Sequence, residues 1–430
     1  MGYQHDEAAE RTPGRLVVRT VPLADPGDLI ARLPESGALA WVRRGEGLAG
    51  WGTAARITLP AGHDRFVTGE KWLRELFDSA DVADDVVVPG TGPVAFGSFT
   101  FDPTSDGSVL VVPRVVLGRT DGAGWLTTIG TAARPAPAAA RGPADLPVPA
   151  PPVMPTGVRW ADGSLTTPQW EGAVATAVAA IGSGSLRKVV LAMELNATAA
   201  ADIDARVLLS RLAGRYPDCY TFACDGLVGA TPELLIRRTG TQLHSLVLAG
   251  TMPRGGTPRA DGALGATLLA SSKDRDEHQY AVADVRAALQ PLCADLQVED
   301  QPSLLRLANV QHLATRVDGS LAAGEAASHS ALALAAALHP TAAICGTPAE
   351  AAMELIRELE GMDRGRYSGP VGWVDARGNG EWGIALRCGL LAGRNARLFA
   401  GCGIVAASEP PAEVAEAQAK FWPMRYAIEG

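Results

Sequence analysis

The chain has 430 residues, of which 47% are hydrophobic and 20% are charged, and it carries a formal net charge of −9. That length and composition allow a soluble globular protein with a sizeable buried core, built from roughly two or three structural units. No run of five Lys or Arg occurs, so the basic footprint of a nucleic-acid-binding protein is absent and nucleic acid is not an expected partner.

The N-terminal residues MGYQHDEAAERTPGR are polar where a signal peptide needs an apolar core, and no later apolar stretch is long enough to span a membrane. We therefore expect a cytoplasmic protein with no membrane partner. The cysteines form no C-x-x-C pair and no Cys/His cluster at zinc spacing. They are expected to be reduced and mostly buried: Cys219, Cys224, Cys293, Cys345, Cys388 and Cys402.

Residues 1–14 are predicted to be a disordered tail, and residues 15–133 to be a strand-rich N-terminal part. Short apolar runs between Gly, Pro and Asp turns indicate the strands: LVVRTVPL, LAWVRR, RITLP, VAFGSFTF and VLVVPRVVLGR. Eight prolines lie between Pro135 and Pro155 and favour extended, solvated backbone. Residues 134–156 are therefore predicted to be a linker or a long surface crossing.

The remaining region, residues 157–430, is predicted to begin with a helix. Thr167 is expected to be its N-cap, Pro168 its first helical residue and Gly182 its end. Apolar residues recur in it at helical spacing: Trp170, Val174, Ala177 and Ile181. A Gly/Ser loop then leads into KVVLAMEL, a β-branched run that begins with Lys188.

Further strands are predicted at TFACDGLVGA, LLIRRTG, LHSLVLAG, GPVGWVDA, WGIALRCGLL and ARLFAGCGIV. Helices are predicted at 202–214, 274–290, 329–338, 348–360 and 411–427. Strands that follow one another through short turns, with helices grouped between hairpins, favour antiparallel sheet over regular βαβ alternation. The predicted fold class is α+β: layered antiparallel β-sheets with helices on the outside, in one large domain.

The letters GCGIVA at 401–406 fit the dinucleotide pattern G-x-G-x-x-A. That motif needs a helix opening at the glycines, whereas SEPP follows here, so a tight backbone passage is the better interpretation. A P-loop lysine, a G-x-S-x-G elbow and an H-E-x-x-H helix are absent. Chemistry must therefore rest on Lys, Glu and Arg.

Two residues are candidates for acid–base chemistry. Lys188 begins an apolar strand, where desolvation would favour the neutral amine that base catalysis needs. Glu233, in GATPELLI, places a carboxylate beside an apolar run, a setting that raises a carboxyl pKa and suits a general acid. On the residue pattern alone, a lysine that reaches solvent and an exposed turn glutamate are the simpler interpretations.

Acidic residues cluster at two predicted helices. Asp274, Asp276 and Glu277 fall in a first turn, where the helix dipole alone favours them. Nearer the C-terminus, Glu413, Glu416 and Lys420 share one helix face, and an exposed Glu416–Lys420 pair worth ~0.3–0.5 kcal/mol is the ordinary explanation.

Taken in order, these segments resemble the chorismate-binding enzymes, which make isochorismate, salicylate, anthranilate and aminodeoxychorismate. The resemblance runs from Leu186 to the C-terminus, and VAFGSFTFDP at 94–103 is similar to a strand in the N-terminal half of family members. The matching blocks are KVVLA, GATPELLIR, LAGTMPRG, KDRDEH, NVQHLATRV, HPTAAICGTP, YSGPVGW, GNGEW, ALRC, AGCGIV and EVAEAQAKF.

The resemblance implies a Mg²⁺ ion held by Glu277 and Glu416, whose hard carboxylate oxygens suit that ion. It also implies chorismate as the substrate, with Arg387 offering a fork for one carboxylate. His312 matches a histidine near the ring, although a core histidine bonded to backbone fits its apolar surroundings equally well. The implied substrate contacts are Gly250, Thr251, His312, Ala343, Arg387, Gly401, Cys402, Gly403 and Lys420.

Two positions indicate which nucleophile is used. Relatives that use ammonia usually carry Gln where Lys188 stands, or a lysine where Ala249 stands. Water is therefore expected to attack ring C2 after Lys188 deprotonates it, while Glu233 protonates the departing C4 hydroxyl. This is isochorismate synthase chemistry, an isomerase reaction, and it implies neither a glutamine amidotransferase subunit nor, by analogy, an oligomer.

Two alternatives stay open at this stage. A salicylate synthase shares the lysine and the glutamate and then eliminates pyruvate, and an inactive relative would only bind a small dicarboxylate. Met193 stands where many relatives have arginine, which leaves local contacts there in doubt. Whether the product feeds menaquinone, a catechol siderophore or salicylate is not encoded in these residues.

Overall fold

The computed structural model describes residues 14–131, 134–135 and 149–430, without the side chains of residues 326 and 327. The predicted tail, apart from Gly14, and most of the predicted linker lie outside the described residues. Residues 149–156 contain no helix or strand.

The first part of the chain alternates strands with one long helix, as far as the structure describes it. Its elements are β1 (Leu16–Leu23), β2 (Leu39–Arg43), β3 (Glu46–Trp51), β4 (Ala55–Leu59), α1 (Arg65–Asp78), β5 (Asp81–Asp84), β6 (Val94–Ser98), β7 (Ser108–Val112), β8 (Val115–Thr120) and β9 (Ala123–Thr131), with a 3₁₀ turn at Ile30–Arg32.

The second part carries the remaining helices and strands. They are β10 (Arg159–Asp162), α2 (Thr167–Gly182), β11 (Lys188–Thr198), α3 (Ala205–Arg215), β12 (Tyr220–Cys224), β13 (Leu227–Thr231), β14 (Leu234–Thr239), β15 (Gln242–Pro253), α4 (Pro258–Ala270), α5 (Ser272–Leu289), β16 (Cys293–Val298), β17 (Ser303–Arg306), β18 (Val310–Leu321), α6 (Glu325–Ser328), α7 (Ala331–Leu338), β19 (Gly346–Thr347), α8 (Ala349–Leu359), β20 (Pro370–Asp375), β21 (Gly380–Ile384), β22 (Cys388–Ala392), β23 (Asn395–Ile404) and α9 (Pro410–Glu429).

These strands form two sheets. The larger sheet has the order β10-β11-β23-β22-β13-β12-β2-β3-β8-β9-β1-β5, with β19 beside the start of β11. The smaller sheet has the order β16-β18-β15-β14-β21-β20-β6-β7-β4, with β17 also paired to β18. The edge pair β1–β5 is parallel, whereas the long pairs β11–β23 and β15–β18 are antiparallel. The α+β class is confirmed.

Both parts of the chain contribute to both sheets. In the larger sheet β2 pairs with β12, and in the smaller sheet β6 pairs with β20. Strands before and after the proline-rich segment therefore share backbone hydrogen bonds. The result is one domain, as predicted.

A core of aromatic and aliphatic side chains lies between the two sheets. Trp41, Trp125 and Phe222 come from the larger sheet and Phe96 and Trp373 from the smaller, and all belong to one buried cluster. The Trp41 Nε1–H donates across the sheets to Glu381 Oε2 at 2.9 Å. The helices pack on the outer faces, with α2, α3 and α9 on the larger sheet and α4, α5 and α7 on the smaller, so the predicted layering is confirmed.

Several predicted strands are split, because the chain passes from one sheet to the other within them. VLVVPRVVLGR breaks at Pro113, which cannot donate a ladder hydrogen bond, and its halves are β7 in the smaller sheet and β8 in the larger. WGIALRCGLL divides in the same way into β21 and β22. TFACDGLVGA instead folds back at Asp225 and Gly226 as the hairpin β12–β13.

Helix boundaries follow the capping residues closely. Helix α2 begins one residue earlier than predicted: Thr166, not Thr167, is the N-cap, and its backbone N–H donates to Gln169 Oε1 at 2.9 Å. Helices α1 and α4 and the short helix α6 were not predicted. No described helix is long and apolar enough to cross a lipid bilayer.

The packing of α2 gives a stability prediction. Trp170 is fully buried, and its Nε1–H donates to the Ala192 carbonyl of β11 at 2.9 Å. Trp170→Ala should lower the free energy of unfolding by about 3–5 kcal/mol, because it leaves a cavity and an unpaired carbonyl. Trp422→Ala, at a side chain 50% exposed, should change it by less than about 0.5 kcal/mol. Urea unfolding measures both, and equal effects would contradict this packing.

Candidate active site

Two neighbouring chain segments pass between the sheets at the centre of the molecule. The first joins β13 to β14, and the second joins β21 to β22. Because β13 pairs with β22 and β14 pairs with β21, the two crossings lie side by side. Glu233 lies on the first crossing and Arg387, at a positive φ of 48°, on the second.

A cleft opens at these crossings. It brings together most of the residues that the sequence pointed to, from both sheets and from α5 and α9. The predicted residues that line it are Glu233, Gly250, Thr251, Glu277, His312, Ala343, Arg387, Gly401, Gly403 and Lys420. Lys188, Cys402 and Glu416 do not line it directly, although each lies next to residues that do.

Glu233 is a buried carboxyl group. It is 5% exposed, so the exposed-turn interpretation is wrong. Burial raises its pKa to about 8, although the positive charges of Lys188, Lys420 and Arg387 and a backbone N–H of Leu248 all act to lower it. At neutral pH this carboxyl group therefore keeps its proton and can act as an acid.

Lys188 is also completely buried, at 0% exposure, so the interpretation that its amine reaches solvent is wrong as well. Its Nζ lies 3.2 Å from Glu277 Oε1. No described atom is aligned to accept a hydrogen bond from that amine. Lys188 thus lies directly behind two residues that line the cleft, Glu277 and Gly403.

Arg387 and His312 form the polar side of the cleft next to a β-bulge at Gly250 in β15. The His312 Nδ1 lies 3.2 Å from the Gly250 carbonyl, so Nδ1 donates and Nε2 is left to accept from Arg387 Nη2 at 3.3 Å. Burial, with Arg387 and Lys420 nearby, lowers the pKa of His312 well below its usual value. The imidazole is therefore neutral.

Arg387 is buried, yet its Nη1 has no hydrogen-bond acceptor among the described residues. An unpaired buried guanidinium donor is costly. Because Arg387 lines the cleft, an anionic group placed there would satisfy that donor with a charge-assisted hydrogen bond.

Alternation along β23 decides which residues of the GCG segment face the cleft. Gly401 and Gly403 line it, and the Gly401 carbonyl accepts from Lys420 Nζ at 2.8 Å. The Cys402 side chain lies on the other face, where Sγ is 3.4 Å from the Glu413 carbonyl. The Cys402 side chain is therefore not placed to contact a ligand in the cleft. This strand lies in an antiparallel sheet, which rules out the dinucleotide interpretation of GCGIVA.

Gly403 is needed because Glu277 comes very close to the strand. A Cβ at position 403 would lie 2.0 Å from Glu277 Oε1 and 3.1 Å from Lys188 Cε. Any side chain there would displace the Glu277 carboxylate, so the glycine allows the carboxylate and the amine to meet beside the cleft.

Glu277 on α5 and Glu416 on α9 belong to one acidic cluster. Burial raises the pKa of Asp274, and both glutamates raise it further. The pKa of Lys273 is raised too, against the effect of its burial, by Glu413, Glu277 and Glu416. Both predicted metal ligands therefore lie near the same two side chains.

Three lysines pair with this cluster. Lys188 contacts Glu277, Lys273 Nζ lies 2.7 Å from Glu413, and Lys420 Nζ lies 2.6 Å from Glu416. Although burial opposes it, the Lys420 pair holds the pKa of Glu416 below its usual value. The side chain of Glu416 is 26% exposed and that of Lys420 14%, so this is not the exposed surface pair that helix spacing alone suggested.

Sequence reasoning gave no site role to several residues at the cleft. Asp274 and Glu413 were noted as helix acids, but only the fold shows that Asp274 adjoins Glu277 and Glu416 and that Glu413 adjoins Glu416. The Cys402 Sγ and carboxylate oxygens of Glu413 and Glu416 lie within 4.8 Å of one another. Apolar and aromatic lining residues were also missed, because nothing in their spacing marks them: Val190, Leu248, Ile344, Tyr367, Leu386 and Phe399.

Comparisons with known proteins agree with this geometry. A family model described as chorismate binding enzyme matches residues 16–429. The chain is 37% identical over 368 residues to the isochorismate synthase MenF of Bacillus subtilis, a match that covers 79% of this chain and 75% of that protein. It is 47% identical over 251 residues to a protein of Mycobacterium tuberculosis provisionally named isochorismate synthase MenF, covering 55% of this chain and 66% of that relative's length.

Solved structures show the same architecture. The chain matches the menaquinone-specific isochorismate synthase MenF of Escherichia coli with a TM-score of 0.78 at 25% identity, over 98% of this chain and 96% of that one. An isochorismate synthase provisionally assigned as DhbC, from Bacillus anthracis, matches with a TM-score of 0.77 at 30% identity, over 94% and 99% of the two chains.

The raised pKa of Glu233 can be tested without any ligand. Infrared difference spectra should show a carboxyl C=O band that disappears as the pH rises through about 8. Glu233→Gln should remove the band, whereas Asp375→Asn, which removes another buried carboxyl, should leave it. A Glu233 carboxyl already ionised at neutral pH would refute the assignment.

Proposed function

The chain belongs to the chorismate-binding enzyme family, and from that premise we propose that it is an isochorismate synthase, converting chorismate to isochorismate. One observation carries the proposal: a carboxyl group that keeps its proton and a buried amine lie at the same cleft, beside an arginine with an unsatisfied donor. The names of its relatives support the same activity.

The reaction needs one base and one acid at different ring carbons. Lys188 takes a proton from a water molecule whose oxygen forms a bond to ring C2. The two ring double bonds each shift by one position, the C4–O bond breaks, and the leaving hydroxyl departs as water with the proton of Glu233. One water is consumed and one released, so the net change is an isomerisation.

The protonation state of Glu233 supports its role as the acid. Glu233 must be protonated, so turnover is expected to fall as the pH rises through about 8, where this carboxyl ionises. Lys188 Nζ has no aligned hydrogen-bond acceptor among the described side chains and backbone atoms, and in the proposed reaction it would take the proton of a water placed between it and ring C2. Because this nucleophile is water, the proposed reaction needs no ammonia source.

Chorismate carries two carboxylates, and the cleft has two cationic side chains to receive them. Arg387 presents the unpaired Nη1 donor, with neutral His312 fixing the orientation of the guanidinium through Nη2. Lys420 also lines the cleft, and its Nζ donates to the Gly401 carbonyl. Glycines at 401 and 403 leave room for the substrate to approach the backbone of β23.

We also propose that Mg²⁺ is the cofactor and that Glu277 and Glu416 hold it. The donor set fits the ion: carboxylate oxygens from two helices, with Asp274 and Glu413 adjoining them. When bound, Mg²⁺ would neutralise this cluster and anchor a substrate carboxylate. Its binding would compete with the lysines that now pair with these acids.

Some finer features belong to the same proposal. We infer that the enzyme acts as a monomer and, because water replaces ammonia, without a glutamine amidotransferase subunit. We also infer a cytoplasmic location, which the free cysteines support.

Product analysis tests the function directly. Purified protein with chorismate and Mg²⁺ should give isochorismate without pyruvate, and Lys188→Ala and Glu233→Gln should each lower kcat by at least about 100-fold while the protein stays folded. Salicylate with pyruvate would reassign the chain as a salicylate synthase. Binding without turnover would indicate an inactive relative, and full activity in either variant would contradict the assigned roles.

The metal proposal is tested by Gly403→Ala. The added methyl group would collide with Glu277 Oε1, so the Mg²⁺ concentration for half-maximal activity and the calorimetric Kd for Mg²⁺ should both rise by roughly 10- to 100-fold. Gly172→Ala is the control, because its methyl group meets no atom within 4 Å. An unchanged Mg²⁺ affinity in Gly403→Ala would refute Glu277 as a ligand.

A further inference from the structure

A buried ion pair lies directly behind the wall of the cleft. Arg364 and Glu360 have side chains that are only 2% and 1% exposed, and Arg364 Nη2 lies 2.5 Å from Glu360 Oε1. A second hydrogen bond, from Arg364 Nε to Glu360 Oε2, is 2.9 Å long. Neither residue lines the cleft, and neither has a part in the proposed reaction.

The remaining donors of Arg364 go to the backbone of the cleft wall. Nη1 donates to the Ile344 carbonyl at 3.0 Å and Nη2 to the Val190 carbonyl at 2.7 Å. Both Ile344 and Val190 line the cleft. On the other side of the pair, Glu360 Oε1 accepts from the Ala192 N–H at 2.6 Å.

The pair therefore grips two separate segments at once. One is the start of β11, where Lys188 lies two residues before Val190, and the other contains Ala343, next to Ile344. A direct backbone hydrogen bond, from the Val190 N–H to the Cys345 carbonyl at 2.7 Å, joins the same segments. Arg364 therefore holds the strand that carries Lys188 against the neighbouring segment of the cleft wall.

The N-terminal part of the chain supports this arginine. The Arg364 guanidinium stacks over the Phe101 ring at 4.2 Å from its centroid, and the Phe101 N–H donates to the Gly365 carbonyl at 2.8 Å. Phe101 belongs to VAFGSFTFDP, the segment that is similar to a strand in the N-terminal half of family members. None of its residues lines the cleft. A cation–π contact of this kind holds the guanidinium plane in one orientation.

Stability alone is a weak explanation for such a pair. Desolvating two charges costs about as much as their attraction returns, and apolar replacements of buried pairs are often neutral or stabilising. What apolar side chains cannot supply is a rigid fork that holds a carboxylate and two carbonyls simultaneously.

We propose that Arg364 is a positioning residue for the reaction: with Glu360 it clamps the Val190 and Ile344 carbonyls and so fixes Lys188 at the cleft. Only the predicted effect of this clamp on turnover rests on the proposed function. Its effect on the backbone can be measured without a substrate.

The test compares Arg364→Lys with Arg206→Lys. Lysine keeps the charge at each position but loses the fork. Arg206 makes an equally buried pair with Asp204, 6% and 5% exposed, and its remaining bond goes to Ala150, away from the cleft. The measurement is hydrogen exchange of the whole chain. Amides at 190–192 and 344–345 should exchange faster than in the wild type in Arg364→Lys, and at the wild-type rate in Arg206→Lys.

Turnover of chorismate with Mg²⁺ is measured on the same samples. Arg364→Lys should lower kcat by roughly 10- to 100-fold, because a misplaced base loses the attack geometry. KM should change little, since Arg387 and Lys420 lie on other segments, and the loss of activity near pH 8 should stay. If Arg364→Lys fails to fold, the double variant Arg364→Met with Glu360→Met removes both charges and should show the same kcat loss.

Unchanged exchange at 190–192 and 344–345 would overturn the clamp. Faster exchange with full kcat would overturn its positioning role, as would an equal kcat loss in Arg206→Lys. Wild-type protein that leaves chorismate unconverted would instead refute the proposed function, while the exchange data would still decide whether Arg364 holds the two segments.

Discussion

Burial of one carboxyl group, that of Glu233, is the constraint on which the rest of the site depends. Three cationic side chains, Lys188, Lys420 and Arg387, act to ionise it, and desolvation still raises its pKa to about 8. That outcome requires Glu233 to lie deep between the sheets, where the chain crosses from one to the other. A carboxyl group that keeps its proton can then lie close to three cationic side chains at neutral pH, because desolvation outweighs their attraction for its charged form.

The charges around this acid are arranged by backbone features. A bulge at Gly250 turns β15 so that His312 can bond its carbonyl and orient Arg387. The absence of a side chain at Gly403 lets Glu277 reach Lys188. Local backbone geometry thus decides which of many nearby charged groups touch each other, and the fold holds both the acid–base pair and the carboxylate cluster in one cleft.

Element types and many boundaries could be predicted from the sequence, because period and turn residues are local signals. β1 matches LVVRTVPL residue for residue, and α9 differs from its predicted range by one or two residues at each end. Local signals failed for Lys188 and Glu233, which the pattern alone would leave in solvent, since burial is set by strands far away in the chain. Glu277 and Glu416 could be paired only through the family resemblance, and the clamp by Arg364 needs three segments that only the fold brings together.

The source of the oxygen in the new hydroxyl group tests the central claim most directly. That claim is that Lys188 activates a solvent water for attack at C2 while Glu233 protonates the hydroxyl group that leaves C4. The conversion would be run in ¹⁸O-labelled water and the isochorismate analysed by mass spectrometry. One labelled oxygen, located at C2, is the predicted result. An unlabelled C2 hydroxyl, transferred from C4 within the substrate, would contradict it.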